Sequence, residues 1–272
     1  MNEIVEEVRQ HYDRDVLAEW ERLERNPYEF AITCRYLDRY IQPGDRVLDV
    51  GGGPGRYTLY LAQRGCDVTL FDLSPRNVAF ARERLEEAGL TARCLAGDVL
   101  ELPARVSGAF DHVLCMGPLY HLLRAEDRER AVRNCLAVCK PGGLAYLAYI
   151  SVNAAAFYFL REQPAGILDP KEADYFDAFV RGSDFGGQGF TQVHYEAVGR
   201  VVPTMEALGL ETLHLVGAEG ILNPYKHNLA GQAPEVIDRW IELALKICER
   251  PDLLGCAEHL LYIGRKGPTC NC

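Results

Sequence analysis

The feature that most constrains this chain is a short apolar stretch that runs directly into a glycine-rich loop. Residues 47–50 (VLDV) have the pattern of a buried strand, and Gly51, Gly53 and Gly55 alternate immediately after it. Glycines at this spacing let the backbone turn tightly and approach a ligand, because no Cβ atoms intervene. Residues 56–64 then have a helical pattern. A strand, a glycine turn and a helix N-terminus predict the nucleotide-binding corner of an open α/β sheet.

Strand and helix patterns alternate through the first half of the chain. Apolar strand patterns lie at 46–50, 67–72, 91–95, 110–116 and 144–150, each separated from the next by a helical or turn segment. Nearly continuous apolar strands separated by helices predict a parallel sheet covered on both faces. Two later strand patterns, 211–216 and 258–263, predict an antiparallel terminal pairing. We therefore expect a Rossmann-like, seven-stranded, mostly parallel doubly wound α/β sheet with an antiparallel terminal strand.

The pattern divides the chain into five expected segments. They are an N-terminal helical cap (1–43), a cofactor-binding α/β core (44–150), a lid or acceptor insertion (151–194), the C-terminal part of the core with a helical insertion (195–266) and a tail (267–272). Residues 162–194 read as a long loop rich in glycine and aromatic residues, which is the composition of a mobile lid. A helix is expected to follow from Tyr195 to Leu208.

Composition excludes several classes of function. The net charge of −10 argues against a general nucleic-acid-binding protein, since phosphate contacts need clustered basic residues.

The sequence contains no apolar run of ~18 residues, so no membrane span is expected. The acidic start lacks a basic and then apolar signal region, which favours a cytoplasmic location. His194, His227 and His259 are far apart and show no metal-ligand spacing, so no metal site is predicted, although a redox or metal role for Cys270 and Cys272 at the chain end is left open. Cys270 and Cys272 are the only closely spaced cysteines, and such chain ends are usually frayed.

The spacing of the glycines separates two families of nucleotide-binding enzyme. A dinucleotide fingerprint, Gly-x-Gly-x-x-Gly counted from Gly51, would need a glycine where Arg56 stands. This mismatch argues against a nicotinamide-dependent oxidoreductase. The pattern present, Asp-x-Gly-x-Gly-x-Gly from Asp49 to Gly55, resembles that of the class I S-adenosylmethionine-dependent methyltransferases. The resemblance implies that the loop passes under the methionine part of the cofactor and that Asp49 orients it.

Residues after the next strands extend the predicted cofactor site. Asp72 ends the second strand, where a carboxylate can accept hydrogen bonds from both hydroxyls of a ribose, although it could also serve as an acid at the helix N-terminus. The resemblance implies that Asp98 binds the adenine amino group and that Tyr12 reaches the cofactor carboxylate. Leu73, Val99 and Met116 complete the predicted set.

Three side chains are candidates for chemistry at the acceptor. Tyr120 and His121 follow the fourth strand, at the edge of the sheet where ligands bind, and His194 ends the insertion. His121 could act as a general base or could simply pack on the following helix. A base is optional, because methyl transfer from a sulfonium mainly needs in-line positioning and the exclusion of water.

The leading hypothesis is therefore transfer of a methyl group from S-adenosylmethionine to a small-molecule acceptor. Aromatic residues in the expected walls favour an aromatic or partly apolar acceptor. The alternative is a non-catalytic binding or partner protein that keeps the fold and the cofactor. The acceptor atom and the oligomeric state are left open by the sequence.

Overall fold

The computed structural model describes residues 3–25 and 27–267, so the expectation for the cysteine tail lies outside the described residues. The strands are β1 (Arg46–Val50), β2 (Asp67–Asp72), β3 (Arg93–Ala96), β4 (Phe110–Cys115), β5 (Cys139–Ser151), β6 (Phe185–Gln188), β7 (Gln192–Glu196), β8 (Leu210–Gly217) and β9 (His259–Lys266). The helices are α1 (Glu3–Arg14), α2 (Val16–Arg25), α3 (Pro27–Tyr40), α4 (Arg56–Gln63), α5 (Pro75–Glu87), α6 (Leu102–Arg105), α7 (Ala125–Val138), α8 (Asn153–Glu162), α9 (Ala173–Arg181), α10 (Val198–Ala207), α11 (Lys226–Leu229) and α12 (Pro234–Ile247). Within the described ranges, no helix is both long and apolar enough to cross a bilayer.

The main sheet has the strand order β3-β2-β1-β4-β5-β9-β8. Strands β1 to β5 pair in parallel with their neighbours, whereas β9 is antiparallel to both β5 and β8. These seven strands confirm the predicted mostly parallel sheet with an antiparallel terminal strand. The strand order reverses beside β1, between β1 and β4, and such a reversal opens a crevice at the carboxyl ends of the strands.

The sheet is covered on both faces, as the apolar strand patterns predicted. One core packs α3, α4, α5 and α12 against residues such as Val47 and Leu70, and the other packs α6, α7 and α10 against residues such as Leu48 and Phe71. Neighbours along one strand point to opposite faces, so β1 contributes to both cores. Val47, Leu48 and Val50 have no exposed surface, which fixes the position of the glycine loop that follows them.

A hairpin over residues 185–196, at the end of the expected insertion, adds two strands that the sequence did not predict. Strands β6 and β7 are antiparallel, and β7 joins the end of β5 through the pairs Ile150–Tyr195 and Ser151–Glu196. The expectation of a loop to residue 194 and a helix from Tyr195 is therefore wrong, since Tyr195 lies in β7 and α10 begins at Val198. Glycines in β6 conceal the strand pattern, and pairing with β5 overrides the local preference.

The first helix is fastened to the sheet through the start of α5. Ser74 is the N-cap of α5, and its Oγ accepts a hydrogen bond from the Asn77 backbone N at 3.0 Å. The same hydroxyl donates to Asp13 Oδ1 of α1 at 2.5 Å, and Arg76 Nη1 donates to the Asp13 carbonyl at 2.7 Å. One hydroxyl thus caps α5 and holds α1 above the carboxyl ends of β1 and β2.

We expect Ser74→Ala to lower the free energy of unfolding by about 1–2 kcal/mol, because loss of an N-cap oxygen leaves a backbone N–H of α5 unpaired. The loss of the Asp13 contact acts in the same direction. Urea unfolding measures the change. Ser107→Ala, at an exposed position, is the control and should change stability by less than about 0.5 kcal/mol. Equal stability of the two variants would contradict the capping role.

Candidate active site

A cavity lies at the carboxyl ends of β1, β2 and β4, between the glycine loop and α1. Most of the residues predicted for the cofactor or for catalysis line it: Tyr12, Asp49, Gly51, Gly53, Asp72, Leu73, Asp98, Val99, Met116, Tyr120 and His121. Arg22, Glu19 and Asn77 also line the cavity. The topology brings these residues together because the carboxyl ends of parallel strands meet at one edge of a sheet.

The glycine loop adopts a backbone conformation that other residues rarely adopt. Gly51, Gly53 and Gly55 have φ values of +70°, +55° and +93°. A Cβ on Gly51 would lie 2.4 Å from Pro118 Cδ, so no side chain fits there. Gly55 does not line the cavity, in contrast to the prediction. A Cβ on Gly55 would lie 2.9 Å from Ala81 Cβ, so this glycine allows α4 and α5 to approach each other.

The Asp72 carboxylate joins three parts of the site. Its Oδ2 accepts a hydrogen bond from Gly53 N at 2.8 Å, and its Oδ1 accepts from Ser74 N at 2.9 Å. Asn77 Nδ2 donates to the same Oδ1 at 3.2 Å. Burial raises the pKa of Asp72, and the three hydrogen bonds oppose that rise. Asp72 therefore fixes the glycine loop relative to the start of α5 and presents a rigid acceptor to the cavity.

Asp49 lies beneath the glycine loop and is 1% exposed. Its Oδ2 accepts a hydrogen bond from Thr58 Oγ1 of α4 at 2.7 Å, and a Cβ on Gly52 would lie only 2.7 Å from that oxygen. Burial raises the pKa of Asp49 to about 6, while the Thr58 hydrogen bond acts to lower it. The carboxylate thus connects the loop to the first turn of α4.

Asp98 follows β3 at the far side of the cavity. Its Oδ1 accepts a hydrogen bond from Leu100 N at 2.9 Å and so caps the short 3-10 turn that begins at Val99. Gly97 N donates to the Asp72 carbonyl at 2.9 Å, and a Cβ on Gly97 would lie 2.5 Å from the Phe71 ring. The loop after β3 is therefore pressed against the end of β2.

Tyr12 and His121, predicted for different roles, form one hydrogen-bonded pair. His121 Nδ1 lies 3.0 Å from the Gln192 carbonyl oxygen, which can only accept, so Nδ1 carries the proton. Tyr12 Oη then donates to His121 Nε2 at 2.7 Å. Burial lowers the pKa of His121 to about 4 and raises the pKa of Tyr12. Both groups are neutral near pH 7, and Nε2 is a fixed acceptor.

The β6–β7 hairpin and α1 meet above this pair. Phe190, near the tip of the hairpin, lies 5.8 Å between ring centroids from both His11 and His121. Gln192 Nε2 donates to Glu7 Oε2 of α1 at 3.3 Å. The two elements thus meet beside the Tyr12–His121 pair, although the Phe190 side chain is itself 53% exposed.

His194 lies apart from the other two catalytic candidates and does not line the cavity, in contrast to the prediction. Its Nε2 lies 3.0 Å from Glu196 Oε2, and both side chains are buried. Asp184 completes this cluster and is paired with Arg200, with 3.3 Å between Nε and Oδ2. Strand β7 contacts the cavity residue His121 through the Gln192 carbonyl oxygen, whereas the His194 side chain is engaged by Glu196.

A partly buried network of charged groups extends from Arg22 and Glu19 in the cavity wall into the protein. Arg22 donates to Glu29 at 2.7 and 3.3 Å and to Glu19 at 3.0 Å. His259 binds Glu219 through Nδ1 and through its backbone N, the latter at 3.0 Å. Burial alone would lower the pKa of His259, but the Glu219 and Glu29 carboxylates raise it to about 9.

Sequence spacing did not reveal this network, because its members come from α2, α3, the residues after β8 and the start of β9. Glu29, Glu219 and His259 place ligand-type atoms close enough together for a metal ion, as do Asp184, His194 and Glu196. In each cluster an arginine already pairs with one carboxylate, Arg22 in the first and Arg200 in the second. The observed geometry in both is that of an ion-paired network.

Comparison with known proteins identifies relatives of this chain. A family model described as a methyltransferase domain matches residues 47–143. A ubiquinone biosynthesis O-methyltransferase from Chromobacterium violaceum is 30% identical over 198 residues, which cover 71% of this chain and 77% of the relative. A protein of the same description from Xanthomonas axonopodis pv. citri is 33% identical over 154 residues, covering 55% of this chain. The chain spans only 63% of the length of that second relative.

The fold is also similar to that of a solved structure. The N-methyltransferase NodS from Bradyrhizobium japonicum WM9, in complex with S-adenosyl-L-homocysteine, superposes with a TM-score of 0.56 at 16% sequence identity. The match covers 96% of this chain and 98% of that chain. At this level of identity, the similarity shows a shared fold.

We expect Asp49→Asn to gain stability relative to the wild type as the pH rises from about 4 to about 7. The folded-state pKa of about 6 exceeds the reference value of 3.8, so the folded wild type binds a proton more tightly than the unfolded chain does. Its free energy of unfolding therefore falls as that proton is lost, whereas asparagine stays neutral throughout. Urea unfolding at several pH values measures the difference.

The control for this experiment is Asp67→Asn, which removes a carboxylate from the exposed end of β2. A stability difference between Asp49→Asn and the wild type that stays constant across the pH range would contradict the elevated pKa.

Proposed function

The chain belongs to the class I S-adenosylmethionine-dependent methyltransferases that act on small molecules, and from that premise we propose that it methylates an oxygen atom of a small, partly apolar acceptor. The observation that carries the proposal is a single cavity with two ends. One end has the glycine loop and Asp72, which suit a nucleoside. The other has Tyr12, Tyr120 and a neutral His121, which suit a hydroxylated acceptor.

We propose that the first end holds S-adenosylmethionine. Asp72 would accept hydrogen bonds from the ribose, Asp98 and Val99 would border the adenine, and Gly51 and Gly53 would contact the methionine part. Leu73 and Met116 would supply apolar contacts. When bound, S-adenosylmethionine supplies an electrophilic methyl group on a sulfonium centre. The task of the protein is then to position the acceptor in line with that methyl group and to exclude water.

Tyr12 and His121 are suited to receive the proton of an acceptor hydroxyl. In our proposal the hydroxyl donates to Tyr12 Oη while Tyr12 passes its own proton to His121 Nε2. With the cofactor bound, the oxygen would receive the methyl group that the sulfonium centre supplies, and the proton would remain on His121. The Nδ1 hydrogen bond to the Gln192 carbonyl supports this relay, because it holds Nε2 in the accepting tautomer.

The choice of oxygen as the acceptor atom follows the relatives, which are described as O-methyltransferases of ubiquinone biosynthesis. The rings of Tyr12, Tyr120 and Phe190 surround His121, with centroid distances of 5.4, 4.8 and 5.8 Å. Such a wall favours an acceptor that carries its hydroxyl on an aromatic or otherwise apolar body.

We further propose that the N-terminal cap (1–43) and the insertion (151–194) act together as the cover of this acceptor site. The contacts of Phe190 with His11 and of Gln192 with Glu7 join the two segments directly above His121. A cover of this kind must open to admit the acceptor, and its closure removes water from the reacting atoms.

Isothermal calorimetry and a labelled-methyl transfer screen test the proposed function. We expect S-adenosylhomocysteine to bind the purified protein, and labelled S-adenosylmethionine to transfer its methyl group to a phenolic or catecholic compound in a metabolite extract. Binding without any transfer would favour the alternative of a non-catalytic protein. Binding of a nicotinamide dinucleotide in place of S-adenosylhomocysteine would overturn the assignment of the cavity.

We expect His121→Gln to reduce kcat about 10²–10³-fold, because glutamine can replace the hydrogen bonds of histidine but cannot serve as a base at neutral pH. The affinity for S-adenosylhomocysteine should change less than about twofold. For the wild type, kcat should be constant above about pH 5 and fall as the pH passes through about 4, where His121 becomes protonated.

The matched control is His227→Gln, since His227 is exposed and contacts Glu162 rather than the cavity. Retention of wild-type kcat in His121→Gln would rule out His121 as the base and favour transfer by positioning alone.

A further inference from the structure

Helix α12 has apolar residues on two faces, one packed on the core and the other exposed to solvent. The residues of the inner face are Ile237, Ile241, Ala244 and Leu245. On the outer face, Val236, Trp240 and Leu243 are 39%, 40% and 41% exposed, and Ile247 is partly exposed. The first three also line a shallow depression in the surface. We call these four residues the outer stripe, and an exposed apolar patch of this kind indicates an interaction surface.

The spacing of the outer stripe is the same when it is read from either end of the helix. Val236, Trp240, Leu243 and Ile247 follow one another at intervals of four, three and four residues. Residues three and four apart are neighbours on one side of an α-helix, so the stripe is continuous and about 16 Å long. An antiparallel copy of the same helix would present the matching pattern, with Trp240 opposite Leu243 and Val236 opposite Ile247.

The charges beside the outer stripe are arranged in the same way. Glu235 lies in the first turn of α12 and Lys246 in the last, and neither is ion-paired to another residue in the part of the chain that the structure describes. Eleven residues make close to three turns, so the two side chains lie on the same flank of the helix. About a two-fold axis, Glu235 of each copy would therefore lie beside Lys246 of the other, and both ends of the contact would carry an ion pair.

We propose that the outer stripe binds a second copy of this chain, as an antiparallel pair of α12 helices with two-fold symmetry. In such a contact each copy uses the same surface, which requires a self-complementary pattern of apolar and charged residues. A different protein would not require that symmetry. A membrane surface would favour a uniformly basic border, whereas the acidic Glu235 borders the depression.

The contact is small, so the dimer is expected to be weak. A standard interface buries about 800 Å² on each partner, and one helix with four apolar side chains contributes less than that. Each copy also has a net charge of −10, which opposes association. We therefore expect a monomer–dimer equilibrium that depends on concentration. The proposal does not rest on the proposed function, because α12 does not line the candidate active-site cavity.

Sedimentation velocity over about 1–300 μM tests for the dimer, because weak interfaces dissociate in this range. We expect the wild type to shift from monomer toward dimer as the concentration rises. Trp240→Asp, which places a charge in the middle of the outer stripe, should remain monomeric throughout. The control is Leu160→Asp, at a position in α8 that is 74% exposed, and it should behave as the wild type does.

Exchange of the flanking charges tests the antiparallel arrangement, and both positions are exposed. Glu235→Lys alone and Lys246→Glu alone should each weaken the dimer about tenfold, because two attractive contacts become repulsive. An equimolar mixture of the two single variants should recover the wild-type affinity, since each copy then supplies the charge that the other lacks. Charges that acted only within one copy would give no recovery on mixing.

A wild type that stays monomeric at every concentration overturns the proposal, and so does a dimer that persists in Trp240→Asp. Failure of the mixed variants to recover the wild-type affinity overturns it as well. Sedimentation of the wild type with phosphatidylcholine vesicles, lost in Trp240→Asp, would overturn it in favour of a membrane surface as the occupant of the outer stripe.

Discussion

The site depends on one buried carboxylate, that of Asp72. Its hydrogen bonds to Gly53 N, Ser74 N and Asn77 Nδ2 join the glycine loop, the end of β2 and the first turn of α5. Glycines with positive φ have many accessible conformations, so the loop needs such an anchor to keep one shape. Ser74 extends the connection to α1 through Asp13, so the floor and the cover of the cavity are held by one continuous set of hydrogen bonds. Burial of the carboxylate without these donors would be strongly unfavourable, and the network therefore forms as a unit.

The proposed cover, formed by α1 and the β6–β7 hairpin, is joined by hydrogen bonds to the proposed base, His121. Tyr12 belongs to α1, His121 follows β4 and Gln192 begins β7, yet a single line of hydrogen bonds runs through all three. Withdrawal of α1 would remove the donor from His121 Nε2, and withdrawal of the hairpin would release the tautomer that the Gln192 carbonyl fixes. In the proposed mechanism, access of the acceptor to the cavity and the tautomer of the base His121 are for this reason coupled. The low pKa of His121 follows from the same burial, because a closed apolar cover disfavours the charged imidazolium.

Much of the fold, and the grouping of most of the predicted cofactor residues around one cavity, could be predicted from the sequence, because the signals are local. The strand, the glycine turn and the helix around Asp49 are contiguous, and Asp72 and Asp98 each end a recognisable strand. The rest depends on contacts that no local pattern records. The β6–β7 hairpin forms because β7 pairs with β5, although glycines obscure its strand pattern. The network of charged groups that includes Glu29 and His259 joins residues from opposite ends of the chain.

The network of charged groups around Arg22 bears on the charge of the proposed acceptor. Arg22 lines the cavity, but its guanidinium nitrogens already donate to Glu19 and Glu29. A guanidinium engaged by two carboxylates is poorly suited to bind a third anion, whether a carboxylate or a phosphate of the ligand. His259 and Glu219 extend the pairing behind the wall, and the pKa of about 9 keeps His259 positively charged near pH 7. The network thus combines three carboxylates with two cations, and it carries a slight net negative charge. Its members are Glu19, Glu29, Glu219, Arg22 and His259. In the proposed function, this charge disfavours an anionic acceptor and favours a neutral hydroxyl, whose proton the Tyr12–His121 pair would receive.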